Sequence, residues 1–246
     1  MIRELHCAVM FLTRIPFIGL WTNDIPLARS VWAFSVVGVV VGLWGFAIFS
    51  LCQFLGFSDI LSVMLAVGSQ ILITGALHED GAADFIDGFG AGRDRARRLE
   101  IMADSRIGTY GVIGLILLIM LRVSALHELI QIELGLAAFI ATATLSRANC
   151  IVIALINSPA RLSGLGVALK DLSLVRAVIG LILAQFVAVI LFDPITGGLL
   201  SAMAILVSVF MAAWAFQKIG GYTGDVFGAC QVFTEITLLL FLTLWF

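Results

Sequence analysis

Apolar segments of about 20 residues recur along the chain, and they restrict its fold more than any other feature. The hydrocarbon core of a bilayer is about 30 Å thick, and an α-helix of about 20 apolar residues spans it. Only 12% of the residues are charged, against about 25% in soluble domains. We predict spans at residues 31–55, 60–77, 107–126, 134–156, 174–192, 197–216 and 232–246. The predicted fold is therefore all-α: one polytopic integral membrane domain over residues 1–246, with about seven transmembrane helices.

The positions of lysine and arginine predict which ends of these helices face the cytoplasm. The first 30 residues and the connections at 78–106, 157–173 and 217–231 together hold 11 of the 14 basic residues. The alternate connections, at residues 56–59, 127–133 and 193–196, contain no lysine or arginine. By the positive-inside rule the basic connections are cytoplasmic. Seven spans then leave the N-terminus in the cytoplasm and the C-terminus on the other side.

One strongly charged stretch, residues 78–111, interrupts the apolar pattern and is the predicted cytoplasmic active-site segment. It contains 7 of the 16 acidic residues of the chain. Asp80, Asp84 and Asp87 follow the spacing i, i+4, i+7, which places three carboxylates on one face of a helix. Such a cluster repels itself unless a cation is bound, and hard oxygen ligands suit Mg²⁺ or Mn²⁺. We predict that the three aspartates bind one of these divalent cations; the alternative is a solvated acidic face.

Four charged residues outside that stretch also need an explanation. Arg122 and Arg147 fall inside predicted spans, where a charge needs a partner or a polar cavity. Arg147 is predicted to reach a phosphate or an aspartate of the site, whereas for Arg122 snorkelling and a structural ion pair are both open. Asp225 follows a glycine-rich connection and could simply be a helix N-cap. Glu235 lies in an apolar span, where an unpaired carboxylate is penalised.

Two familiar kinds of site are excluded by spacing. The four cysteines are far apart and form no CxxC pair, so we predict neither disulfides nor a zinc site. The glycines at 88, 90 and 92 match neither nucleotide-binding glycine motif.

Residues 78–88, HEDGAADFIDG, resemble the HxDGLADxxDG signature of the cobalamin (5′-phosphate) synthase family, the adenosylcobinamide-GDP ribazoletransferases. Further resemblances lie in the same order along the chain, at residues 12–16 (LTRIP), 98–111 (RLEIMADSRIGTYG), 146–147 (SR) and 220–229 (GGYTGDVFGA). The resemblance runs from about residue 8 to the C-terminus. One departure is Ala82, where the family usually has leucine; the acidic face is unaffected.

This resemblance implies a Mg²⁺-dependent transferase of vitamin B12 assembly. It would join adenosylcobinamide-GDP to α-ribazole or α-ribazole 5′-phosphate and release GMP. A carboxylate or His78 would take the proton of the attacking hydroxyl. The implied catalytic residues are His78, Asp80, Asp84, Asp87, Asp104 and Arg106, and the implied substrate-binding residues are Arg14, Ser105, Arg147 and Asp225.

The resemblance also implies where the protein works and with what it associates. The expected location is the bacterial inner membrane, with the active site facing the cytoplasm. The expected partners are the lipid bilayer and the two substrates, with no nucleic acid; a homo-oligomer is compatible with the sequence.

Two other functions remain open on the sequence. A CDP-alcohol phosphotransferase also places aspartates at a membrane surface, but its signature begins DGxxAR, which the DGAAD of residues 80–84 does not match. An ion or metal transporter would also carry charges within its spans. Its acidic groups are expected at mid-span, whereas these are predicted mainly at the cytoplasmic edge.

Overall fold

The computed structural model describes residues 1–16, 25–162 and 164–246; for Leu165 it describes the backbone alone. In this part of the chain the secondary structure consists of helices and a single isolated β-bridge, between Pro159 and Tyr222. The α-helices are α1 (Ile2–Leu12), α2 (Phe34–Phe54), α3 (Asp59–Thr74), α4 (Leu77–Ala91), α5 (Arg95–Ile101), α6 (Thr109–Gln131), α7 (Gly135–Asn149), α8 (Val152–Ile156), α9 (Leu174–Leu191), α10 (Pro194–Ile219) and α11 (Gly224–Trp245). Short 3₁₀ turns cover Leu27–Arg29, Val31–Ala33 and Leu165–Leu169.

Six helical segments of the described chain are long and apolar enough to cross a membrane. They are Val31–Phe54, Thr109–Gln131, Gly135–Ile156, Leu174–Leu191, Pro194–Ile219 and Gly224–Trp245. The bent pair formed by α3 and α4 makes a seventh if it is counted as one crossing. The all-α, multi-span prediction is confirmed, and the predicted number of about seven agrees with this range.

The helix pair α3–α4 differs most from the prediction of a straight span at 60–77. Helix α3 has only 16 residues, about 24 Å at 1.5 Å per residue, which is too short to cross the bilayer alone. It ends at Gly75 and Ala76, both with positive φ, and α4 leaves at 90°. Gly75 is needed there, because a Cβ would overlap the guanidinium of Arg14.

Contacts with α6 indicate that this bent pair is one broken crossing. Gln131, at the end of α6, donates to Asp59 at the start of α3 with an Nε2–Oδ2 distance of 2.8 Å. At the other end, Asp87 of α4 accepts hydrogen bonds from the start of α6. The start of α3 and the C-terminal half of α4 therefore lie at opposite ends of α6. Residues 77–91 thus form the helix that the aspartate spacing predicted, but this helix is packed into the bundle, whereas the sequence placed it in a connection.

Three other predicted bounds were wrong by several residues. The last span is not the short segment 232–246, because α11 starts at Gly224 and is 22 residues long. The third span extends past residue 126 to Gln131. The sixth, Pro194–Ile219, extends three residues beyond the predicted 197–216 at each end, whereas the fourth, Gly135–Ile156, matches its predicted bounds. Charged residues near helix ends misled the prediction, since inside the bundle these charges find partners.

Small residues allow the helices to pack closely around α7, the most buried span. A Cβ on Gly38 would lie 2.5 Å from the Cα of Thr144, and one on Gly42 would lie 2.6 Å from the Cα of Ile140. Helices α2 and α7 therefore meet backbone to backbone, as small residues permit in membrane proteins. On the outer faces of α6, α9 and α10 the large side chains are exposed, for example Ile116, Phe186 and Phe210. These surfaces suit contact with lipid.

Candidate active site

Two glycines bring the acidic helix α4 against the start of α11. A Cβ on Gly81 would lie 3.1 Å from the Cα of Asp225 and 3.2 Å from the Cα of Gly228. A Cβ on Gly228 would in turn lie 2.9 Å from the carbonyl oxygen of His78. Because neither position has room for a side chain, the two helix backbones touch. This contact places Asp225 beside the acidic face of α4, although Asp225 follows Asp80 by 145 positions in the sequence.

The carboxylates of Asp80, Asp84 and Asp225 form the centre of the site. Asp80 is exposed, and the other two are half-buried. Asp225 and Asp80 both repel a negative charge on Asp84, as Asp87 does more weakly, whereas Arg161 attracts it. The guanidinium of Arg161 is anchored by a hydrogen bond to the carbonyl oxygen of Leu99. Three acidic groups thus face one anchored arginine.

Asp225 is not the N-cap of α11, the alternative left open by the sequence. Thr223 occupies the N-cap position, and Asp225 lies in the first helical turn. The hydroxyl of Thr223 donates to the Asp225 carboxylate, with an oxygen–oxygen distance of 3.0 Å. The orientation of the Asp225 side chain is therefore fixed by its neighbour, while its other oxygen remains available to the site.

Asp87 lies on the same helix but makes different contacts. Its two carboxylate oxygens accept hydrogen bonds from the backbone N–H groups of Gly108 at 2.6 Å and Gly111 at 2.9 Å. These are among the N–H groups at the start of α6 that no intrahelical bond satisfies. A Cβ on either glycine would clash with the Asp87 carboxylate. Asp87 therefore caps α6 from another helix.

Asp104, Ser105 and Arg106 lie in the turn between α5 and α6, on the Asp87 side of the site. Arg106 binds Asp104 through two side-chain hydrogen bonds of 3.1 and 2.8 Å. These bonds to Arg106 lower the pKa of Asp104 to about 2. All three side chains face outward, and Asp104 and Arg106 line a cavity with Asp87. The structure thus separates these residues from Asp80 and Asp225 by the length of α4.

Two cavities meet at Gly224 and Asp225. The first, of about 90 Å³, is mainly apolar, with His78, Asp80 and Asp225 among its lining residues. The second, of about 200 Å³, contains Arg161. His78 is 5% exposed, and its Nδ1 has no hydrogen-bond partner in the structure. The site therefore joins an apolar space, a group of carboxylates and a cationic space.

A buried ion network lies beneath these carboxylates. Arg122 contacts Glu235 at 2.7 Å and Glu79 at 3.5 Å, and it donates to Gln70 at 3.0 Å. Glu235 also accepts from Gln231 at 2.6 Å. These five residues come from α3, α4, α6 and α11, and they include two carboxylates. Of the two alternatives for Arg122, the structure shows the structural ion pair.

Arg147 belongs to the same network and does not line the two cavities at Asp225. Its side chain is 3% exposed, its Nη1 lies 3.9 Å from the Glu235 carboxylate, and it donates to the carbonyl oxygen of Ala143. With Arg147 included, two arginines balance Glu79 and Glu235. Its predicted contact with a substrate phosphate stays a prediction, and the visible partner is Glu235.

Arg14 lies at the bend between α3 and α4. Its backbone N–H donates to the carbonyl oxygen of Ile73 at 2.6 Å, and its guanidinium rests against Gly75. The side chain is exposed. Arg14 thus supports the bend from which the acidic helix departs, and its predicted binding of substrate stays a prediction.

The chemistry of the acidic centre fits a divalent cation, although its ligands are not prearranged. Among the described residues no three His, Cys, Asp or Glu side chains converge in a metal-binding arrangement. Yet Asp80, Asp84 and Asp225 repel one another, and a cation would remove that cost. Asp87 already uses both oxygens for α6. The structure thus favours Asp225 over Asp87 as the third acidic ligand.

Sequence reasoning missed two features of this site. Glu79 was given no role, yet it is buried and pairs with Arg122; its position next to Asp80 was the available signal. The contact of Gly81 with Gly228 had no signal in the spacing, because it depends on how α4 and α11 pack. Arg161 lies in the basic 157–173 connection, where the sequence allows a contact with an anionic substrate, and its approach to Asp225 likewise follows from the fold.

Comparison with known proteins shows the family to which the chain belongs. The family model for cobalamin-5-phosphate synthase matches residues 4–243. The chain is 36% identical to an adenosylcobinamide-GDP ribazoletransferase of Mesorhizobium japonicum, over 96% of this chain and 91% of that protein. Proteins of the same name from Azorhizobium caulinodans and Shewanella amazonensis are 39% and 37% identical, over 96% and 97% of this chain and 94% of each relative. No solved structure matches the chain significantly. With a match over nearly its whole length, the chain belongs to the cobalamin-5-phosphate synthase family.

Proposed function

We propose that this protein joins adenosylcobinamide-GDP to α-ribazole or α-ribazole 5′-phosphate, with Mg²⁺, and releases GMP. A hydroxyl of the acceptor attacks the phosphorus next to cobinamide, and the bond from that phosphorus to the oxygen of GMP breaks. The observation that carries the proposal is that Asp80 and Asp225, close to Asp84, line an apolar cavity, while Asp225 also lines the cavity that contains Arg161. Family membership and the names of the relatives support it.

The carboxylates of Asp80, Asp84 and Asp225 are the proposed Mg²⁺ ligands, with Asp87 at the end of the same face. When bound, the cation would neutralise the pyrophosphate oxygens and stabilise the charge that develops on the departing GMP. Thr223 holds Asp225 in place for this role. The contact of Gly81 with Gly228 keeps the two halves of the acidic centre together.

Arginines at the edges of the site are suited to bind the anionic substrates. Arg161 lies in the cationic cavity and is fixed by its bond to Leu99. Arg106 is exposed and currently pairs with Asp104 through both of its carboxylate oxygens. The same planar geometry binds phosphate bidentately. We propose that Arg161 contacts the phosphate nearest Asp225 and that Arg106 meets a more distant part of the donor.

The proposed location is the bacterial inner membrane, with the acidic site on its cytoplasmic side. The basic residues support this orientation, because Arg161, Lys218 and the arginines of α5 are all near the site end of the bundle. A cytoplasmic site would receive nucleotide-activated substrates where they are made.

The buried ion network argues against a transporter. A transporter needs intramembrane charges that can take up its ion, whereas Arg122 binds Glu235 directly at 2.7 Å and also contacts Glu79. The CDP-alcohol phosphotransferase alternative is disfavoured by the family match over residues 4–243.

Purified protein in lipid nanodiscs provides the test. With adenosylcobinamide-GDP, α-ribazole 5′-phosphate and Mg²⁺, we expect GMP and a cobamide product in equal amounts, and none after chelation of the metal. A CDP-activated lipid with an alcohol acceptor should yield no CMP. Release of CMP, or no GMP from protein with an intact thermal transition, would refute the proposal.

A further inference from the structure

The apolar cavity beside Asp80 has the features of a site for a small aromatic group. Phe11, Phe34 and Phe227 line it, and the first two rings stack with centroids 6.1 Å apart. Its volume is about 90 Å³, below the roughly 150 Å³ of an engineered cavity that holds benzene. Only one edge of a ring system can therefore enter the enclosed part. A corrin is far too large for it.

One polar group in this cavity has no partner. His78 is 5% exposed, and its Nδ1 makes no hydrogen bond in the structure. Buried polar side-chain atoms nearly always have a partner, either in the protein or in a bound molecule. Nδ1 itself is enclosed by protein, so a ligand in the cavity would meet the other ring nitrogen, Nε2, with one complementary hydrogen-bonding atom at its edge.

Gly224 and Asp225 line both this cavity and the one that contains Arg161. Together the two neighbouring cavities offer aromatic rings, one imidazole, carboxylates and a guanidinium. A nucleotide with an apolar base has matching parts: base, ring nitrogen, sugar hydroxyls and phosphate. A lipid acyl chain would leave the imidazole unpaired. Guanine would place several polar atoms against the phenylalanine rings, which offer them no hydrogen bonds.

We propose that these two cavities bind the acceptor nucleoside, with its base among the phenylalanines and hydrogen-bonded to His78. The base of α-ribazole is a methylated benzimidazole, apolar apart from one free ring nitrogen. Its ribose hydroxyls then lie beside Asp80 and Asp225, and a 5′-phosphate lies near Arg161. This inference rests on the proposed function and assigns the acceptor to this side of the site, leaving the open side near Arg106 to the donor.

Calorimetric titration of the purified protein with the free base, 5,6-dimethylbenzimidazole, tests the assignment without donor, metal or turnover. We expect the wild type to bind the base and His78→Leu, similar in size, to bind it roughly tenfold more weakly, as expected for one lost hydrogen bond. Cys150→Phe should abolish binding, because Cys150 lines the cavity. Thermal unfolding identifies any variant that does not fold. If Cys150→Phe does not fold, the binding measured for His78→Leu is the test.

Arg161→Gln is the matched control. It should bind the free base as the wild type does, while losing the preference for α-ribazole 5′-phosphate over α-ribazole. No binding of the base by the wild type, or unchanged binding in folded His78→Leu, overturns the inference. Metal-dependent GMP release is measured separately. If the protein releases GMP but its binding of the base does not depend on His78, this inference alone is refuted. If the base binds as expected but no GMP is released, the proposed function alone is refuted.

Discussion

Asp84 illustrates at the residue scale how stability and function conflict in this site. Its half-buried carboxylate faces Asp80, Asp87 and Asp225, and only Arg161 opposes their repulsion. Like charges held together destabilise a fold. Such groups are therefore found mainly at functional sites, where the charges are needed. Asp84 is thus expected to contribute to catalysis and not to stability.

We predict that Asp84→Asn lowers Mg²⁺-dependent GMP release by roughly 100-fold or more, about 2.7 kcal/mol in activation free energy. Its thermal transition should stay the same or rise, because a repelling charge is removed. Asp171→Asn, an exposed change in the 157–173 loop, is the control and should retain activity. Near-normal turnover of Asp84→Asn at limiting Mg²⁺ would remove Asp84 from the site.

Asp87 is expected to behave differently, because its oxygens cap α6. Asp87→Ala should lower the free energy of unfolding by about 1 kcal/mol, typical for the loss of a helix cap. Asp87→Asn keeps one acceptor oxygen and should lose less. Thermal unfolding in nanodiscs measures both. An Asp87→Ala variant with unchanged stability would show that the cap contributes nothing.

The sequence predicted the position of individual side chains correctly where spacing along one helix decides it. The i, i+4, i+7 aspartates do lie on one helix, α4. It could not predict that Asp87 turns to α6 while Asp225 joins Asp84, because both contacts join residues distant along the chain. The same limit explains the missed partner of Glu79.

At the scale of the helices, the buried network fixes how α4 and α11 meet. Arg122 of α6 bonds to Gln70 of α3 and Glu235 of α11, and Gln231 donates to Ser146 of α7. Charges at this depth need complete pairing. The network therefore holds the broken crossing in register with the helices behind the site.

Removing one partner from this network should be costly. Glu235→Ala leaves Arg122 and Arg147 with only Glu79 as a carboxylate partner, and we expect it to destabilise the fold by about 3–5 kcal/mol. The double variant Arg122→Met with Glu235→Met removes one charge of each sign and should be less destabilised than Glu235→Ala. Thermal unfolding of both variants checks this. Equal or greater loss in the double variant would contradict the ion-pair account.

The broken crossing formed by α3 and α4 also predicts the topology. With α3–α4 counted as one passage, the chain crosses seven times and its two ends face opposite sides. A reporter fused after Phe246 should therefore lie outside the cytoplasm, and one inserted in the 157–173 loop should lie inside. A reporter at the N-terminus that lies on the same side as the one after Phe246 would show that α3 and α4 form a re-entrant segment, because six crossings place both ends together.

At the scale of the whole molecule, hydropathy predicted the class of fold and approximately the number of spans. It failed at the bend, because Gly75 and Ala76 adopt left-handed backbone conformations that apolar periodicity does not encode. It also placed the start of the last span too late, because the glycine-rich stretch around Asp225 looked like a connection and not like the first turn of a membrane helix. Both errors fall where the helices build the site, since there polar residues and irregular backbone line a cavity.

The central claim is that α4 and α11 together form one metal-dependent active site. GMP release by purified Asp225→Asn tests it most directly, because Asp225 comes from outside the acidic stretch. We predict the same loss as for Asp84→Asn, roughly 100-fold or more, together with a higher Mg²⁺ concentration for half-maximal rate and an intact thermal transition. Wild-type turnover and Mg²⁺ dependence in Asp225→Asn would contradict the claim.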